Sequence, residues 1–334
     1  MIRPRTFEFG PHSPGFAATV IIPTFNRAAA LICCLEHLER QTCKDFEVVV
    51  VDDGSTDETA HRVQEYGKRT NLSLKFIHQP NGGPARARNV AIGAASSSLV
   101  LMIGDDIFAA PELVETHLKL HRQHPAPHVA ALGQTVWEEK TQKVTPFMRF
   151  LEEGIQFSYN DLVAGKIPGI YFYTSNLSVK TELLRRNPFC ERFPAAAFED
   201  LELGLRLTQK EGLELIFIPE ALGHHYHPTT FLQACRRMRN GGWSAHLMYE
   251  MWPEAYLNPA GATPVRRLAR RVLAPAPILF AVTQFTALLT RVITPKALFR
   301  AVLGTYFYVG YKQREVEVAS EKKSSKQPSV LVNR

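Results

Sequence analysis

Two adjacent carboxylates, Asp105 and Asp106, close the apolar run Val100-Leu-Met-Ile-Gly104. An uncharged run of that length bounded by glycine reads as a central strand of a parallel sheet. In open α/β sheets ligands gather at the carboxyl ends of such strands. A carboxylate placed there can hold a hard divalent cation, and the cation can hold a diphosphate. Downstream, His224-His225-Tyr226-His227 follows Pro219 and a short apolar run. An oxygen-rich site that accepts one imidazole is biased toward Mn over Mg. Strand alternation would put His225 and His227 on one face. Arg88 falls in the first half of a helix that opens at Pro84, where both the helix N-terminus and a guanidinium favour phosphate. Its alternative is a structural ion pair.

These residues need a scaffold, and the hydrophobic pattern supplies one. Strand character recurs at 18–23, 46–51, 72–77 and 99–103, each run followed by a turn and a stretch of helical spacing. Four βα units in succession predict a doubly wound, mostly parallel sheet of Rossmann-like type with flanking helices. A helix from Pro111 to about His124, a strand near 129–136, a strand resuming over 171–179, a helix over 199–210, a strand over 213–218 and a helix over 229–249 follow. The pattern weakens between 141 and 169. Residues 1–16 read as a loose lead-in without an apolar leader segment. The last residues, from Val316, are polar and rich in Lys and Ser, and disorder is expected there.

Bulk properties narrow the class. The 334 residues carry a net charge of +7 with 45% hydrophobic residues. That suits a sizeable core and an anionic small-molecule or membrane partner; no nucleic-acid partner is expected. Five cysteines without a CxxC pair suggest neither a zinc knuckle nor a disulfide framework, and a reducing compartment is the simplest reading.

Four strand ends now line up: Pro23-Thr-Phe-Asn-Arg27, Asp52-Asp-Gly-Ser55, Gly83-Pro-Ala-Arg-Ala-Arg-Asn89 and Gly104-Asp-Asp106. A fifth motif is Phe198-Glu-Asp-Leu-Glu-Leu-Gly-Leu-Arg206. Together, over roughly Thr19 to Gly242, they resemble glycosyltransferase family 2, the inverting nucleotide-sugar transferases of GT-A fold. The resemblance implies a donor site of Pro23, Thr24, Asn26, Asp53, Arg88 and Asp105. Asp53 would accept from the imide of the base and Asp105 would meet the ribose. It implies a metal site of Asp106 and His225 for Mn2+ or Mg2+, with Asp200 as general base and Asn176 and Glu199 toward the acceptor. Turn-forming and helix-capping roles are the plain alternatives for Asp53 and Asp200. The position of Gly104 commonly carries a further Asp in the family, so this chain departs from the pattern at its metal strand. The QxxRW motif of processive relatives is absent, which implies single transfer.

Val272–Thr290 is uncharged for 19 residues, but Pro275, Pro277, Gln284 and three threonines lower its hydropathy. Arg266, Arg267, Arg270 and Arg271 precede it, and Arg291, Lys296 and Arg300 follow. Basic residues beside an amphipathic segment read as interfacial anchoring to an anionic membrane surface. The expected organisation is a lead-in at 1–16, a GT-A domain at 17–250 (nucleotide half 17–110, acceptor half 111–250), a membrane-associated helical region at 251–313 and a disordered tail at 314–334. The expected function is transfer of a sugar from a nucleotide-diphosphate sugar, UDP being the commonest, to a glycan or lipid-linked acceptor in surface-polysaccharide synthesis, at the cytoplasmic face of the membrane. Rival readings are an inactive nucleotide-sugar-binding module and a nucleotidyltransferase.

Overall fold

The computed structural model describes residues 4–11, 15–156, 159, 162–254, 268, 270, 272–290 and 293–324. The four apolar runs become β2 (Ala18–Thr24), β3 (Phe46–Asp52), β4 (Ser73–His78) and β5 (Leu99–Ile103). They lie in the order β4-β3-β2-β5, all parallel. Period-2 alternation splits their side chains between two cores. Val20, Ile22, Val48, Val50, Leu101 and Ile103 face one side, where they meet α1 (Ala28–Glu39), α2 (Thr59–Gly67) and α4 (Leu113–Gln123). Ile21, Val49, Val51, Val100 and Met102 face the other, covered by α3 (Pro84–Ala94), α6 (Thr181–Arg186) and α7 (Glu199–Glu211). Burial on both faces is why these strands read as continuous apolar runs.

Beyond β5 the sheet turns mixed. β9 (Asn176–Lys180) runs antiparallel to β5 and to β7 (Val129–Trp137). β10 (Glu214–His225) is parallel to β7 and antiparallel to the short strands β6 (Ile107–Ala109) and β8 (Gly165–Ile167). The histidines expected after a strand are therefore the end of β10 itself. The described architecture is the GT-A type that the motifs imply, a mostly parallel sheet with flanking helices.

The expectation of a loose lead-in is corrected. β1 (Arg5–Phe9) pairs antiparallel with β4 and extends the sheet by one edge strand. Phe7 and Phe9 alternate inward and pack on the first core, a five-residue signal too short to stand out beside Pro4 and Pro11.

Asn176 opens β9, and its side chain is fully buried. β10 carries a register shift between Ile218 and Leu222, and a bulge leaves backbone carbonyls without ladder partners. The Asn176 amide donates to Ala221 O at 2.8 Å and Gln134 O at 3.1 Å, while its carbonyl faces His117 Nε2 at 3.0 Å. This placement corrects the acceptor role expected for Asn176: it is a joint in the core. His117 beside it is neutral, burial having lowered its pKa to about 4.

Contact clustering divides the chain at Pro228/Thr229, with 146–150 joining the C-terminal helices. That second unit contains α8 (Phe231–Met251), α9 (Ala276–Leu289) and α10 (Lys296–Ser324), together with most of α5 (Pro146–Leu151). The division falls earlier than the boundary at 250 expected from the sequence. α8 and α10 approach closely at two glycines: a Cβ on Gly242 would lie 1.9 Å from Phe307 O, and one on Gly310 1.8 Å from Arg239 O. Phe147, Phe150, Phe231 and Phe299 cluster beside them with ring centroids 5.0 to 6.2 Å apart. The disordered tail expected from 314 is also corrected, since α10 runs on to Ser324. Arg314 pairs with Glu317 and Glu321, and Trp243 Nε1 donates to Glu317 at 2.8 Å. Charges that look like a solvated tail are thus a helix face with partners. Residues 325–334 lie outside the described residues, as do Arg266, Arg267, Arg271 and Arg291.

Replacing Asn176 with Ala leaves two buried carbonyls without donors. The expected loss is about 2 kcal/mol, read as a lower urea midpoint at unchanged m-value.

Candidate active site

The site is built where β2, β5 and β10 end. β2 and β5 are neighbours, so the Thr24 hydroxyl reaches across and donates to Asp105 Oδ2 at 2.7 Å. The chain then turns tightly, with Ile107 N–H donating to Gly104 O at 3.1 Å, and enters β6. β6 pairs with the end of β10 so that His225 lies opposite Ile107. The Tyr226 N–H donates to Asp106 O at 2.8 Å, which ties this strand end to the carboxylate turn. Two-residue alternation then aims both His225 and His227 at Asp106.

His225 Nε2 lies 3.3 Å and His227 Nδ1 3.1 Å from Asp106 Oδ2. The three candidate ligand atoms fall within 4.8 Å of one another. Trp137 stacks on His225 at 5.1 Å, and His225 stacks on His227 at 5.3 Å, so the rings are held in place. One carboxylate with two imidazoles is a mixed oxygen–nitrogen donor set that a borderline divalent ion accepts more readily than Mg2+ does. The residues present therefore fit a cation such as Mn2+. Where sequence alternation left His225 and His227 as alternatives, the geometry brings both to Asp106. Gly104 has a local role here: a Cβ at that position would lie 2.7 Å from Asp106 Oδ1. A side chain there would collide with the carboxylate as it now lies.

A cation already sits on this pair. Arg27, at the start of α1, donates through NH1 to Asp106 Oδ2 and lies 3.6 Å from Asp105 Oδ1, while NH2 is 2.9 Å from His227 Nδ1. The two carboxyls titrate apart. Burial, then the charge of Asp106, pushes Asp105 up to about 7. Asp106 is buried too, but His225, His227 and Arg27 outweigh that and hold it well below the usual carboxylate range.

The expected base, Asp200, opens α7 after Phe198, which takes a left-handed φ of 74°. Such a conformation costs a non-glycine residue roughly 1 to 3 kcal/mol and persists only where the surroundings impose it. The first turn holds three acids. Glu199 pairs with Arg88 at 2.8 Å and Glu202 with Arg206 at 2.9 Å. Asp200 accepts the N–H of Leu201 and has no basic side chain in ion-pair contact among the described residues. Burial, then the charge of Glu199, raises its carboxyl to about 7. Its charge is felt by the hydroxyl of Tyr159. Tyr159 in turn lines a cleft of about 440 Å³ with Gln134, Trp137, Glu152, Gln156 and His225. His225 of the cluster and Tyr159 thus line one cleft.

Several expected ligands have other duties. Arg88 is 8% exposed, donates to Glu199 and lies 5.5 Å over the Phe189 ring. Of the two readings of Arg88, the structure shows the ion pair, which joins α3 to the start of α7 through Glu199. Asp53 is 4% exposed and accepts from Gln79 Nε2, Gly82 N and Gly83 N at 2.7 to 2.9 Å. Its carboxylate folds the loop ahead of α3. Asn26, at a left-handed φ of 53°, accepts from Thr56 N and Asp57 N, while its own N–H donates to Ser55 Oγ. It organises the loop that carries Arg27 in place of the expected donor contact. Pro23 and Thr24 end β2 beside Asp105. Sequence reasoning missed Arg27 and the cleft residues Gln134, Trp137, Gln156 and Tyr159. Arg27 was visible inside the first motif, but the cleft residues come from segments with no motif at all.

Comparisons with known proteins show the family of the chain. A family model described as Glycosyl transferase family 2 matches residues 19–180, and one described as Glycosyl transferase family group 2 matches 116–311, more than half of the chain. The chain is 35% identical over 219 residues to validoxylamine A glucosyltransferase of Streptomyces hygroscopicus subsp. jinggangensis, a match covering 57% of this chain and 50% of that protein. It is 36% identical over 99 residues to the poly(ribitol-phosphate) beta-N-acetylglucosaminyltransferase TarS of Staphylococcus aureus, covering 29% of this chain and 17% of that one. The chain spans about half the length of the validoxylamine A glucosyltransferases it matches. Among solved structures, the mannosyltransferase PcManGT of Pyrobaculum calidifontis, in complex with GDP-Man and Mn2+, superposes with a TM-score of 0.60 at 20% identity. That match covers 90% of this chain and 87% of that one, and it speaks for the fold.

Removing Arg88 strands Glu199 in the protein interior. Breaking a buried pair on one side costs about 3 to 5 kcal/mol, so Arg88→Ala is expected to lower the melting temperature sharply. If instead the variant melts like the parent and only nucleotide binding falls, Arg88 is a donor ligand after all.

Proposed function

The chain belongs to glycosyltransferase family 2, and from that premise we propose an inverting transfer of a sugar from a nucleoside-diphosphate sugar to an acceptor hydroxyl, with Asp200 as general base. The observation that carries this reading is the first turn of α7, where Glu199 and Glu202 are paired with arginines while Asp200 has no basic side chain in ion-pair contact among the described residues, its carboxyl raised to about 7 by burial and Glu199. A general base works best with a pKa near the operating pH. Burial and Glu199 bring Asp200 there, and the charge of Arg88 limits how far the shift goes.

Asp106, His225 and His227 would hold the divalent cation, Mn2+ being better suited to this donor set than Mg2+. When bound, such a cation neutralises charge developing on the leaving diphosphate. Thr24 and Asp105 stand at the same strand ends, in position for the ribose of the donor. Trp137, Gln134, Gln156 and Glu152 line the cleft with one aromatic face, two amides and a carboxylate, a lining that suits a sugar ring with its hydroxyls. The catalytic residues counter the reading as an inactive module, and the Pro23–Arg27 turn, which is no glycine-rich triphosphate loop, counters a nucleotidyltransferase. UDP is the first nucleotide to test.

A lipid-linked or glycan acceptor at an anionic membrane surface is the reading we favour for the second unit. α9 is turned inside out: Thr283 and Thr286 are buried, their hydroxyls donating to Leu279 O and Val282 O, while Phe280, Phe285 and Leu288 are 58 to 64% exposed. Back-bonded threonines can be buried at little cost, which frees the large apolar side chains to face outward. No described helix is long and apolar enough to cross a membrane. An apolar helix face flanked by Lys296 and Arg300 suits lying in the headgroup region. Assembly of surface polysaccharide at the cytoplasmic face would place the acceptor there.

Two outcomes test this function. Asp200→Asn should abolish sugar transfer while nucleotide affinity, read by calorimetry, is kept. In the parent enzyme kcat/KM should fall about tenfold per pH unit below about 7 as the base is protonated. Because the raised carboxyl binds a proton more tightly in the folded chain than in the unfolded one, its contribution to stability falls as pH rises from about 4 to about 7. Transfer that survives in Asp200→Asn would remove the base assignment. For the second unit, Phe280→Glu with Phe285→Glu should abolish flotation with anionic vesicles and leave nucleotide binding untouched.

A further inference from the structure

Arg27 and a divalent cation compete for the same atoms. Its NH1 donates to Asp106 Oδ2, the oxygen that also faces His225 and His227. Its NH2 lies 2.9 Å from His227 Nδ1, and a cation would need the lone pair of that nitrogen. His227 Nδ1 also lies 3.1 Å from Asp106 Oδ2. It can accept from the guanidinium or donate to the carboxylate, but not both. In the tautomer that accepts from the guanidinium, the Nδ1 lone pair points at the cluster centre, which is the form a metal requires.

The backbone around Arg27 cannot follow a displaced side chain. Asn26 is held by Ser55, Thr56 and Asp57, and the Arg27 carbonyl accepts the N–H of Leu31 in the first turn of α1. The side chain itself is 34% exposed, so it can swing outward by torsions alone. A guanidinium freed beside a bound divalent cation has a natural next partner in a diphosphate, whose oxygens match its fork geometry.

We propose that Arg27 is an exchangeable counter-ion of the Asp105–Asp106 pair: it holds Asp106 and His227 until a divalent cation displaces it, and then pairs with the donor's diphosphate, coupling cation and nucleotide binding. The proposal rests on the cation-binding reading of Asp106, His225 and His227. It makes Arg27 a positioning residue that keeps the ligand set assembled and releases it to the cation and the diphosphate together.

The test titrates Mn2+ into the full chain, following the free-ion signal by electron paramagnetic resonance, with and without UDP. The parent should bind Mn2+ weakly alone and more tightly with UDP. Arg27→Ala should bind Mn2+ alone about tenfold more tightly, because a charged hydrogen-bonding competitor is gone, and UDP should then add little. Arg27→Lys, a point charge without the fork, should fall between the two. His225→Ala should lose Mn2+ binding in both backgrounds. Mn2+ affinity that is unchanged or weaker in a natively melting Arg27→Ala overturns the proposal. So does an unchanged UDP enhancement, which would remove the diphosphate partner. If neither parent nor Arg27→Ala binds Mn2+, the cation-binding reading falls and the proposal with it. Binding by the variant alone supports the proposal in its strongest form. Should Arg27→Ala not fold, Arg27→Gln is read the same way.

Discussion

Two carboxylates end one buried strand, and something positive must stand beside them. Asp105 and Asp106 follow five residues that are fully or nearly fully buried, and burying unpaired charge is costly. The solution is spread over three strand ends. Thr24 donates to Asp105, the imidazoles of β10 face Asp106, and Arg27 bridges both acids. The mixed half of the sheet serves this end: β10 must run beside β7 and β6 for its last residues to arrive over Asp106. The same constraint splits the two carboxyls electrostatically, one held ionised and the other raised.

The residues around that centre divide into those that touch ligands and those that make touching possible. Asp53 spends its oxygens on the loop ahead of α3, and Arg88 spends its charge on Glu199 at the head of α7. Asn176 spends its amide on the bulge of β10. All three look like ligands in a motif, because polar residues at strand ends and helix starts look alike whichever way they point. Their positions tie the motif to the chemistry: Arg88 seats Glu199, and burial together with Glu199 raises the proton affinity of Asp200. A change in any of these would reach the chemistry through geometry.

The helical unit applies a different rule. Its threonines turn inward with their hydroxyls bonded back to the helix, and its large apolar side chains turn outward on α9. In water that is the wrong way round for a free-standing helix.

Most of the architecture was legible in the chain itself. Four apolar runs with period-2 and helical spacing between them specify a doubly wound sheet because burial on both faces leaves little choice of residue. The strand-end motifs bring Thr24, Asp105 and Asp106 to neighbouring strand ends, with His225 beside them. Tertiary structure alone decided the partners. Whether Arg88 meets a phosphate or Glu199, whether one histidine or two reach Asp106, and that Arg27 occupies their common point all depend on contacts over sequence separations of 79 to 200 residues. Local spacing carries no information about such contacts. The cleft, too, is made by Trp137, Gln156 and Tyr159 from stretches without pattern, since a concave surface is a property of packing and leaves no period in the sequence.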